Sequence, residues 1–129
     1  AGRRKHDLVV VDLPRHLDEV TRHVVAQCDL TLLVVPAEVR AVAAAQLVAR
    51  QLQDYTATGQ VVVRGGGPGR LAAATVCEAL ELPLAGELSY QPALPAALER
   101  GQTDRLTRGS LGRLCLQVLA HLEPPQAAA

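Results

Sequence analysis

Four short runs, each closed by a proline, a glycine or a turn to polar sequence, decide what this chain can fold into. They are residues 8–12, 31–35, 60–64 and 84–88. A strand wet on one face alternates apolar and polar residues. The unbroken aliphatic runs Leu8-Val9-Val10-Val11 and Leu32-Leu33-Val34-Val35 instead suit parallel strands buried on both faces. Helical spacing fills the intervals. Leu17, Val20, Val24 and Cys28 recur near a helical period, with Asp18 and Glu19 at the start, where the helix dipole favours acids. A second helix is expected over residues 38–54, with Val42, Ala45, Ala49 and Leu52 on one face and Gly59 as its breaker. A third is expected over 70–80 and a short one over 91–100, ended by Gly101. Residues 102–109 read as a polar loop. Ser110 caps a last helix running to about Leu122, whose stripe of Leu111, Leu114, Val118 and Leu122 packs on the sheet.

This alternation predicts an α/β fold: three layers, α/β/α, around a mostly parallel sheet of about four strands, with helices on both faces. Residues 7–122 form the domain, 1–6 a polar lead and 123–129 a tail. A chain of 129 residues buries roughly two-thirds of its unfolded surface. With no Phe, Trp or Met, its core has to be aliphatic and closely packed.

Charge and cysteine usage exclude several classes of function. Thirteen basic residues balance thirteen acidic ones, so no overall field draws the chain to nucleic acid or to an anionic membrane. Tyr55 and Tyr90 are the only aromatic residues, which leaves little for stacking bases. Cys28, Cys77 and Cys115 are odd in number and form no CxxC pair, so reduced core cysteines are expected rather than a disulfide framework or a zinc site. No apolar run approaches the length of a membrane span and no signal peptide is read. Both point to a cytoplasmic protein.

In parallel sheets ligands sit beyond the carboxyl ends of the strands, which directs attention to residues 12–15, 36–38, 64–69 and 89–92. The run Leu8-Val9-Val10-Val11-Asp12 has the shape of a Walker B strand, whose terminal carboxylate orients water on a nucleotide-bound Mg²⁺. On spacing alone Asp12 reads equally well as a turn cap. The Gly-x4-Gly-Lys-Ser/Thr loop that would hold the phosphates is missing, because the one lysine, Lys5, has no such glycine spacing around it. The segment Arg64-Gly65-Gly66-Gly67-Pro68-Gly69-Arg70 is either a tight turn or, through its amides and two arginines, an anion site. It lacks the Gly-x-Gly-x-x-Gly spacing. His16 and His23, two helical turns apart, are too distant to share a metal without further ligands. Ser89 and Ser110 lack the context of a nucleophile elbow.

Taken together, these segments resemble a family. Residues 6–15, His-Asp-Leu-Val-Val-Val-Asp-Leu-Pro-Arg, are similar to the Walker B segment of MinD/ParA-type ATPases, closest to the CpaE-like (TadZ-like) septum site-determining proteins of actinobacteria. Residues 32–40 resemble the next strand and its Pro-x-Glu turn at Pro36 and Glu38. Residues 60–64 resemble the strand that ends near the nucleotide base, and 82–88 with Pro92 and 96–101 the closing strand and helix. The resemblance spans residues 7–122 and corresponds to the second half of the family's domain. The chain has Val63-Arg64 where the family often has Asn-Arg, and it lacks the usual glycine after Pro14.

The resemblance implies a domain that helps to determine a septum site or to position pilus or secretion machinery. ATP and Mg²⁺ would be the cofactors, and their binding would require the missing P-loop half. Asp12 would lie near Mg²⁺, through water, and Arg64, Tyr90 and Pro92 near the base. The partners it implies are proteins of a division or pilus/secretion apparatus, with a homodimer possible, no nucleic acid, and membrane contact only through partners. By itself the chain would have no catalytic residue. A non-enzymatic interaction module on a degenerate nucleotide-binding scaffold is the alternative, and a small flavodoxin-like enzyme using the 64–69 loop for an anion is a third reading. In this family the P-loop strand lies between the Walker B strand and the one after it. Without it, residues 8–12 are expected to pair directly with residues 31–35, or another chain to fill the gap.

Overall fold

Three of the four expected strands form, and they pair in parallel in the order in which they occur. The computed structural model describes residues 7–65 and 68–122, so the expected lead (1–6) and tail (123–129) lie outside the described residues. In chain order the elements are α1 (Glu19–Gln27), β1 (Thr31–Pro36), α2 (Val39–Gln53), β2 (Gly59–Arg64), α3 (Ala73–Leu80), β3 (Leu84–Leu88), α4 (Leu94–Glu99), α5 (Thr103–Thr107) and α6 (Ser110–Leu122). The sheet order is β1-β2-β3, with Leu33 opposite Val61 and Val35 opposite Val63. The register slips by one residue between Val61 and Val62 on the β3 side.

The middle strand carries the core. Val61, Val62 and Val63 are all buried, the arrangement expected of a parallel strand covered on both faces. On one face Val35, Val61 and Val63 pack against Val42, Ala45 and Ala49 of α2 and Val76 and Leu80 of α3. The expected apolar face of α2 is therefore the one that is buried. Val62 points the other way, opposite Gly86 of β3. A Cβ on Gly86 would sit 2.5 Å from Leu114 Cδ1 and 3.2 Å from Gln117 Oε1, so α6 lies directly over β3 on this second face. Helices on both faces of a parallel sheet make the three-layer α/β/α architecture.

The fourth strand is a correction. Residues 8–12 form no strand. Leu8, Val9, Val10 and Val11 are 49%, 46%, 83% and 48% exposed. They do not pair with β1, which has β2 as its only strand neighbour among the described residues. A strand is stable only where a neighbouring ladder takes up its backbone groups, and here none does, however β-prone the sequence.

Other departures have local causes. In α1, Thr21 and Val25 are buried while Val20 is 72% exposed. Leu17 and Val25 pack with Leu52 of α2, and this contact sets the helix's rotation. Asp18 is the N-cap rather than part of the first turn, its carboxylate accepting from the Thr21 N–H at 2.8 Å. Helix α2 ends at Gln53, before Gly59, which instead opens β2. Helix α3 begins three residues later than expected because the Leu71 N–H is held by the Ala37 carbonyl at 3.0 Å. The polar stretch 102–109 contains the short helix α5. Ser110 opens α6, but its Oγ accepts from the Ser89 N–H at 2.9 Å and so ties α6 to the end of β3. Of the cysteines, Cys77 packs at the core's margin, Cys28 lies just past α1, where its thiol donates to the Val24 carbonyl, and Cys115 is exposed. No helix among the described residues is long and apolar enough to cross a membrane.

Replacing Gly86 by Ala places a methyl into Leu114. We expect a loss of about 1–3 kcal/mol, seen as a lower urea midpoint. An unchanged midpoint would mean that α6 does not seat on β3.

Candidate functional site

The carboxyl ends of the three strands form one edge, and backbone hydrogen bonds join the loops that leave it. The Ala37 N–H donates to the Arg64 carbonyl at 2.9 Å, and the Gly65 N–H to the Leu88 carbonyl at 2.8 Å. The parallel ladder thus continues past the strand ends. With the Leu71–Ala37 bond and the Ser89–Ser110 bond, residues 36–38, 64–65, 69–71 and 88–90 are held as a unit. Gly65 and Gly69 adopt φ of 76° and 75°, the left-handed conformation that glycine enters without steric cost. Residues 66–67 of the glycine loop lie outside the described residues.

Arg64 is the last residue of β2 and is exposed. Tyr90, two residues past β3, is 71% exposed, and Pro92 is exposed just before α4. These three sequence-selected residues stand on the same edge of the sheet. Asp12 does not join them through a strand. It is exposed in the segment 8–14, which has no regular structure, and it makes no hydrogen bond or ion pair with another described residue.

The side-chain interaction that sequence reasoning missed here is the ion pair between Arg70 and Glu38. It links the end of the β2–α3 connection to the turn after β1, across 32 residues of sequence. Both side chains are about half exposed, at 45% and 52%, so water screens the pair and its contribution to stability is small. Its consequence is positional, because Arg70, one of the two arginines proposed for an anion, is already committed to a carboxylate. Glu38 was visible in the Pro-x-Glu turn, but nothing in the sequence announces its partner.

Two hollows lie elsewhere. One, of about 350 Å³, is lined by Arg15, His16, Asp18, Glu19, Arg22 and Gln51. Of these, Arg22 holds its guanidinium carbon 5.4 Å from the centre of the Tyr55 ring, a cation–π contact. The other, of about 260 Å³, sits at the amino ends of the strands beside Thr58, Pro83 and His121. His16 precedes α1 and is exposed, while His23 bonds to Gln27 within α1, so the two histidines do not face a common point on one helix. Among the described residues no group of three or more His, Cys, Asp or Glu could hold a metal ion. Burial, then the nearby Glu87 carboxylate, pushes the Cys77 thiol up from its ordinary value, which disfavours the reactive thiolate.

The backbone N–H of Thr21, then its hydroxyl, holds the Asp18 carboxyl below its ordinary value of 3.8.

Two proteins of Mycobacterium tuberculosis, both described as uncharacterized, one from strain CDC 1551 and one from strain H37Rv, are 39% identical to this chain over 122 residues. The match takes in 95% of this chain and 35% of each relative, so the chain spans about a third of the length of the curated relatives it matches. No family model matches the chain, and no solved structure matches it.

Two outcomes follow from the geometry. Glu38→Ala should cost less than about 1 kcal/mol yet speed amide exchange at Leu71; a larger loss would mark the pair as structural. A depressed carboxyl adds stability above its unfolded value, and that stability is lost as pH falls through the folded one. Asn also caps helices well. Asp18→Asn should therefore keep the α1 cap while flattening the fall in thermal stability below about pH 4; an unaltered acid limb would contradict this.

Proposed function

We propose that this chain is part of a MinD/ParA-like domain of the CpaE (TadZ) type, the portion that follows the P-loop unit. What carries the reading is the order of the motif-bearing segments on a parallel sheet. Pro36 ends β1 with Glu38 just after it, Arg64 ends β2, and Tyr90 and Pro92 follow β3, all at one edge. Parallel sheets bind ligands at that edge. In this reading the whole protein serves septum-site determination or the positioning of pilus or secretion machinery. It works in the cytoplasm, reaching the membrane through protein partners, and does not bind nucleic acid.

ATP and Mg²⁺ are the cofactors this reading implies, and the described residues by themselves do not fit them. Asp12 is exposed and off any strand, the only lysine of the sequence is Lys5, and Arg70 is engaged by Glu38. Nucleotide chemistry therefore belongs to the polypeptide that carries the P-loop, and no catalytic step is assigned to this chain. The detachment of Asp12 from the sheet also favours the second reading, an interaction module that keeps the scaffold and has given up nucleotide.

Calorimetric titration with ATP and Mg²⁺ separates the two. Under the first reading this chain gives no binding heat. A full-length Mycobacterium tuberculosis relative binds, and loses binding when the residue aligned with Asp12 is changed to Ala. No binding by the full-length relative would leave the interaction module. Tight binding by this chain alone would contradict both readings.

A further inference from the structure

We draw no further inference here: the strongest candidate, the exposed apolar face of α6 formed by Cys115, Leu116 and Leu119, carries nothing because the chain spans 35% of the length of its relatives and nothing in the structure shows what covers that face.

Discussion

The pairing of β2 on both sides holds the structure together. Its three consecutive valines are buried on alternating faces, so the strand can exist only between two others and beneath two layers of helix. Parallel strands cannot be joined by tight turns and require crossovers, which α2 and α3 supply on one face. The opposite face is closed by α6, where the small residue Gly86 lets Leu114 approach the backbone. Extension of the ladder beyond the strand ends, from Ala37 to Arg64 and from Gly65 to Leu88, is what places three loops at one edge. The candidate site is thus a by-product of the same pairing.

The parts of the fold governed by local pattern were legible in the sequence. The run 60–64 and the face of α2 formed by Val42, Ala45, Ala49 and Leu52 required only periodicity. What could not be read were outcomes set by distant neighbours. Residues 8–12 have as strong a strand signature as residues 31–35, yet only the latter find a partner ladder. Strand formation is decided by pairing, which sequence pattern does not report. The rotation of α1 follows from Leu52, more than twenty residues away in sequence, and the late start of α3 from the Ala37 carbonyl.

The site divides in the same way. Arg64 ends a strand and Tyr90 and Pro92 follow one, and the ends of parallel strands converge. Asp12 would share that edge only at the end of a strand, and its segment is not in the sheet. The Arg70–Glu38 pair was not legible, because a contact between exposed charges in two connections leaves no local signal. It also changes the chemistry offered by the glycine loop, since one of the loop's two arginines is neutralised.

Among the described residues the sheet has three strands, and residues 8–12 lie outside it. Residue-resolved amide hydrogen exchange tests this most directly. The account predicts that the amides of Val9, Val10 and Val11 exchange as fast as those of an unstructured peptide, while those of Val61, Val62 and Val63 are among the slowest in the chain. Protection at residues 9–11 matching that of β2 would contradict it and restore a fourth strand.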